Sequence, residues 1–152
     1  MKINRKALIR EERGVEIIEF AFVLPLLALI LAGGIEFGRA FYTYSILTKA
    51  VRNAARYVSD TVISPAAVIP AAIVTKTRRV AAYGSVTGGT LIIPDITESN
   101  FTVTSAAGHS VNEYYVTVRA NYPYPPLFQF ILPSANFQPK VTMIFTGYIS
   151  GI

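Results

Sequence analysis

The sequence predicts an α+β fold: one long N-terminal helix, half in a membrane and half standing out of it, packed on a small antiparallel β-sheet with a second, shorter helix. Three observations carry this. Residues 20–35 hold no charge and are almost wholly apolar. Past Ile35 the apolar residues keep a helical period as far as Val58. Beyond Ser85 the pattern changes to the alternation of strands.

The helix comes first. Residues 15–35 as one helix would be ~31 Å long, close to the hydrocarbon thickness of a bilayer. Pro25, Gly33 and Gly34 are the interruptions. Pro25 removes an intrahelical hydrogen bond, which predicts a kink or local melting there. Glu16 and Glu19 sit in the first turns. An ionised carboxylate is costly in lipid, and an ordinary anchor has no use for one. Near a helix N-terminus either acid could also serve as a cap favoured by the macrodipole. The same stretch read as a secretory signal peptide would use Ala32, Gly33 and Gly34 as a small-residue cleavage site. Against that, the apolar run is long, its start is acidic and the helical pattern does not stop at its end.

Phe37, Ala40, Phe41, Tyr44, Leu47, Val51, Ala54, Ala55 and Val58 fall on one arc of the continuing helix, and Arg39, Lys49, Arg52, Asn53 and Arg56 fall opposite. Ile46 and Tyr57 fit neither arc. Phe37, Phe41, Tyr42 and Tyr44 cluster just past the apolar run, as an interfacial aromatic belt would. A second helix is expected from near Ala71, after Pro70 and an earlier Ser64-Pro65 pair, to Tyr83, with Gly84 as its stop. Lys76, Arg78 and Arg79 should lie on its exposed side. Its apolar part is too short to span a membrane, so a single pass is expected.

Residues 86–89 read as a turn, 90–93 as a short strand ended by Pro94-Asp95, and 101–105 as an alternating strand. Tyr114, Val116, Val118 and Ala120 form one face of the next strand. Tyr122-Pro123-Tyr124 should break the ladder, and residues 127–132 are expected to make a helical turn that lids the sheet or else a docking patch. Residues 140–148 close the set, with Val141, Met143 and Phe145 on one face. The amphipathic half of the long helix is the cover such a sheet needs.

A chain of 152 residues leaves about 100 beyond a membrane segment, enough for one small domain. It has no cysteine, which excludes disulfide and thiolate-metal frameworks. The net charge of +5 is concentrated before Gly14, where five basic residues against Glu11 and Glu12 leave +3. That reads as a cytoplasmic N-terminus by the positive-inside rule. Lys49, Arg52 and Arg56 form a basic stripe, open to acidic lipid or an acidic neighbour or simply solvated. Nucleic acid is not an expected partner, for the stripe has too little charge and no interleaved aromatics. No catalytic residues, cofactor or metal are expected: His109 is the lone histidine, no serine elbow accompanies it, and turn capping explains Asp95 and Glu98 better than a calcium site. Gly34 and Gly38 have the small-xxx-small spacing that permits close helix packing.

Three stretches carry a resemblance to a known family. They are Arg13-Gly14-Val15-Glu16-Ile17-Ile18-Glu19-Phe20 continuing to Pro25, then Gly34-Ile35-Glu36-Phe37-Gly38-Arg39, then Ala50 through Asn53-Ala54-Ala55-Arg56-Tyr57. They resemble the TadE-like family, pilin-like proteins of the Tad (Flp) pilus system of bacteria. The resemblance implies cleavage by a prepilin peptidase between Gly14 and Val15, with Glu19 and Phe20 at the processing and assembly positions. It gives no inherited role to Glu16. It further implies a minor pilin or pseudopilin of a pilus used for adherence or secretion. The partners implied are other pilin and pseudopilin subunits and the inner-membrane assembly platform, with membrane lipid around the span. The expected organisation is a cytoplasmic leader over residues 1–14, a transmembrane helix over 15–36, its amphipathic extension over 37–60, and an extracytoplasmic pilin-like domain over 61–152. The alternative is an uncleaved single-pass scaffold, or a tip adhesin, of the same machinery.

Overall fold

The computed structural model describes residues 5–61, 68–108, 113–129 and 133–146. His109, Ser64, Pro65, residues 130–132 and Tyr148 lie outside these, so the expectations that fall on them are not addressed. The element order is helix α1 (Arg5–Thr61), helix α2 (Ala71–Tyr83), a 3-10 turn (Glu98–Asn100) and strands β1 (Phe101–Ala107), β2 (Glu113–Ala120), β3 (Tyr122–Tyr124), β4 (Ala135–Phe137) and β5 (Lys140–Thr146). This is the α+β, pilin-like arrangement: a long N-terminal helix, a short second helix and small antiparallel sheets.

Helix α1 has 57 residues and would span ~85 Å. It starts ten residues before the expected position, at Arg5 rather than Val15, and runs on through Gly14. Residues 5–13 are mostly strong helix formers, and a single glycine costs only about 1 kcal/mol against alanine. The helix is also assigned unbroken across Pro25, so no local melting occurs there. Every residue from 14 to 31 is exposed, so this part of the helix packs on nothing among the described residues.

The far half of α1 is the spine of the domain. Leu47, Val51, Ala54, Ala55 and Val58 are completely buried, while Lys49, Arg52, Asn53 and Arg56 face outward. The arc holds from Ala40, which packs against the core; Phe37, Phe41 and Tyr44 instead stay exposed, as the aromatic belt requires. Leu47→Ala is therefore expected to cost about 2–5 kcal/mol of stability. Lys49→Ala should stay within about 0.5 kcal/mol of wild type. Thermal unfolding of the full chain in detergent reads both, and equal shifts would mean that the helix is not packed on the sheet.

The main sheet has the order β1-β2-β5, antiparallel throughout. Its rows Phe101–Ala120, Val103–Val118–Val141 and Ser105–Val116–Met143 face α1, and Phe101, Val116, Val118 and Ala120 are buried. The opposite face carries the rows Thr102–Arg119–Lys140 and Thr104–Thr117–Thr142. Helix α2 begins after Pro70 and ends on Gly84, whose φ of 72° is the left-handed cap that favours glycine and whose N–H donates to Val80 O at 2.9 Å. Of its cations only Lys76 is fully exposed. Arg78 and Arg79 are half-buried, and Arg79 reaches across to Glu98 at 3.2 Å.

Two expectations for the strands fail. Residues 90–93 form no strand: Gly88 and Gly89 have positive φ, Pro94 follows, and the bond from Ile92 N–H to Ala82 O ties the segment to α2 instead. Tyr122-Pro123-Tyr124, expected only to break the ladder, is itself a strand. As β3 it pairs with β4 in a separate two-stranded ribbon, with Tyr122 opposite Phe137 and Tyr124 opposite Ala135. Phe137 stacks on Tyr124 at 4.9 Å and meets Tyr44 of α1 edge-on at 5.7 Å, which seats the ribbon on the helix. The segment starting at Leu127 is not helical over its described residues, and Leu127 is exposed rather than a lid.

Candidate functional site: the exposed helix and the latch at its exit

Two places on α1 carry unusual chemistry. The first is its exposed N-terminal part. Glu16, Glu19, Phe20 and Val23 recur at helical spacing and together line a shallow depression on one face. Neither carboxylate makes an ion pair among the described residues. Gly14, Gly34 and Gly38 have open space where a Cβ would stand, so another helix could approach closely at each. Among the described residues Glu19, Phe20 and the glycines thus have no partner and none of them is brought to the domain.

The second place lies at the helix exit. Glu36, between Ile35 and Phe37, is 1% exposed, and in a described chain of this size it is the one buried acid. The phenol of Tyr124 donates to its Oε1 at 2.7 Å, and the backbone N–H of Leu127 donates to Oε2 at 3.0 Å. Arg39, one turn on, sits 3.7 Å from Oε1. The Arg39 Nε–H donates to the same Tyr124 oxygen at 2.8 Å, and its Nη2 donates to Pro125 O. Its guanidinium also lies over the Tyr124 ring, 5.0 Å from the centroid.

This network joins the last turn of the apolar run to the segment after β3, more than 80 residues away in sequence. Both carboxylate oxygens accept, as an ionised acid must, and each is charge-assisted. Burial, and after it the Glu36 hydrogen bond, hold the Tyr124 phenol above the usual tyrosine range, so it stays protonated and donates. Tyr122, the next buried phenol, is raised by burial and then by Asp95, and donates to Pro94 O at 3.2 Å. We call the Glu36–Arg39–Tyr124 arrangement the latch.

Sequence reasoning gives Glu36 no role of its own. The available signal is an acid at the end of an uncharged run, flanked by Gly34 and Gly38, with an arginine at i+3 on the same face. By contrast the basic stripe of Lys49, Arg52 and Arg56 meets neither the latch nor the exposed carboxylates among the described residues. Arg56 makes one exposed pair with Asp60 at 3.7 Å, and the stripe is otherwise solvated.

The acid-bearing apolar start, the latch acid and the amphipathic arc all fall within one stretch that matches a known family. Residues 14–56 match the model of the TadE-like proteins. Over this helix the chain is similar to TadE-like proteins. The match begins at Gly14 and takes in the exposed carboxylates, the span, Glu36 and Arg39; Tyr124 and both sheets lie outside it. No curated protein and no solved structure matches the chain. One helix among the described residues, Gly14–Thr61, is long and apolar enough to cross a membrane, in keeping with a membrane-anchored protein.

Proposed function

We propose that this chain is a minor pilin or pseudopilin of a Tad-type pilus, cut by a prepilin peptidase between Gly14 and Val15 and then assembled through its exposed helix. The observation that supports the reading is the unpartnered face of Glu16, Glu19, Phe20 and Val23 on a TadE-like helix that is otherwise fit for lipid. A carboxylate in such a place is tolerated when something outside the chain meets it. The leader of residues 1–14 is cytoplasmic in this reading, residues 15–36 cross the inner membrane, 37–60 leave it, and 61–152 form the domain outside. Gly34 and Gly38 give neighbouring subunits room to close in. Lys49, Arg52 and Arg56 are available to an acidic subunit or to the assembly platform.

The continuity of α1 through Gly14 supports a second reading, an uncleaved single-pass scaffold or tip adhesin of the same machinery. In that case the residues before Gly14 remain as the cytoplasmic turns of the same helix. Processing separates the two. Gly14→Leu places a bulky side chain at the cut and should abolish cleavage, leaving a membrane-bound chain that begins at Met1. N-terminal sequencing of the membrane-extracted wild type should begin at Val15. A wild type that keeps Met1, or a Gly14→Leu chain that matures normally, would overturn the assigned site.

A further inference from the structure

Beside the latch lies a cleft of about 270 Å³, lined by Arg39 and Thr43 from α1, by Pro94 and Asp95 from the turn before β1, and by Tyr122 and Tyr124 from β3. We propose that it binds the headgroup of a zwitterionic phospholipid with a primary ammonium, of which phosphatidylethanolamine is the type. Arg39 takes the phosphate and Asp95 the amine. The proposal rests on the reading of α1 as a membrane span.

Depth comes first. Arg39 stands four residues beyond Ile35, the last of the uncharged run, and Thr43 a turn further, which puts them ~6 and ~12 Å past the hydrocarbon edge. The headgroup layer is about 5–8 Å thick on each side of the hydrocarbon. The Arg39 end of the cleft therefore lies where phosphates and amines lie and its Thr43 end just outside that layer, beside the exposed aromatic side chains of Phe37, Phe41 and Tyr42.

Charge selects the headgroup. Arg39 uses Nε on Tyr124 and Nη2 on Pro125, and its remaining terminal nitrogen has no hydrogen-bond partner among the described residues. A guanidinium so held is a good phosphate donor. Asp95 is exposed, makes no ion pair among the described residues, and sits at φ 62°. For a residue other than glycine that is a sparsely used conformation, of the kind the surroundings must hold in place. Tyr122 lines the same cleft as both charges, and its bond to Pro94 O ties down the turn that carries Asp95. Counting Glu36, the site has two carboxylates against one guanidinium, so an anionic headgroup would add to an existing negative charge and a zwitterion would not. A quaternary ammonium cannot donate to Asp95, and the Tyr124 face that could attract it already holds Arg39.

The test uses the full-length protein in nanodiscs made of equal parts phosphatidylethanolamine, phosphatidylcholine and phosphatidylglycerol. After mild detergent stripping, native mass spectrometry counts the lipids retained. Phosphatidylethanolamine should be kept about tenfold over either other lipid, the ratio expected of one charged hydrogen bond. Asp95→Asn, which suits the same backbone conformation, should reduce it to the phosphatidylcholine level. Equal retention of the three lipids, retention of phosphatidylglycerol first, or an unchanged preference in Asp95→Asn would overturn the site. Flotation with vesicles of the same composition is read alongside. No flotation overturns the span and the site together; flotation without headgroup preference overturns the site alone.

Discussion

Tyr124→Phe should lower the melting temperature of the full-length protein in detergent by about 10 °C, taking about 1.5–3 kcal/mol for a hydrogen bond to a charged group and roughly 4–8 °C per kcal/mol for a domain of this size. The ring, its stack on Phe137 and its contact with Arg39 all survive in the variant. What goes is the hydroxyl that donates to Glu36 and accepts from Arg39. Glu36→Gln should fall further. Its amide cannot accept on both sides, so either Tyr124 or the Leu127 N–H loses its acceptor, and Arg39 loses the carboxylate it pairs with. Tyr42→Phe is the control, because Tyr42 is exposed. The chain has nine tyrosines and no tryptophan, so near-ultraviolet circular dichroism follows tyrosine packing directly. If Tyr124→Phe melts like Tyr42→Phe, the latch does not hold the domain to the helix.

The latch also shows where a sequence stops being legible. Residues whose structure follows from their own neighbours were readable: Gly84 as the stop of α2, Pro70 as its boundary, and the apolar arc from Leu47 to Val58 as the buried face. The alternation in β1 and β2 gave the inner face correctly for the same reason, since Val116, Val118 and Ala120 are buried. Partner choice over long separations has no such local signature. Nothing in Tyr122-Pro123-Tyr124 announces a pairing with residues 135–137, so prolines that exclude a central strand were read as excluding any strand. Glu36 was visible as a residue and as part of a family motif, but its burial depends on Tyr124 and Leu127, which periodicity cannot place beside it. The early start of α1 is not legible because the residues before Val15 are polar and basic and carry no apolar period, although Gly14 costs little beside the helix formers around it. At the candidate assembly face the reverse holds. Glu19 and Phe20 stand out by composition alone, as an acid and an aromatic at the head of an apolar run, and both are exposed.

Glu19→Gln is expected to leave membrane insertion and cleavage intact and to abolish surface piliation, whereas Glu16→Gln should be nearly silent. The argument is one of charge balance in lipid. Glu19 lies a turn inside the apolar helix, exposed and without an ion pair among the described residues. An acid so placed is stable in a membrane when a cation meets it. Cleavage after Gly14 would supply one, the new amine of Val15, on every subunit. Within a chain that amine and its own Glu19 are a turn apart and can pair weakly. Between chains, an arriving amine can be set against the Glu19 of a docked subunit, away from water, where the attraction is far stronger than in solution. Such a pair would also fix the axial register of neighbouring helices, a use of buried charge that requires testing in each system. Glutamine keeps the size and hydrogen-bonding capacity of the side chain and removes only the charge, so insertion should be no harder and the peptidase site before Val15 is untouched. Glu16, one residue from the new terminus and near the headgroups, has water for a partner and should not matter. The measurement is surface pili together with mature-chain size in both variants. Loss of pili with a correctly sized mature chain in Glu19→Gln is the expected pattern; normal piliation would leave Glu19 as a helix cap and remove charge pairing from the assembly mechanism.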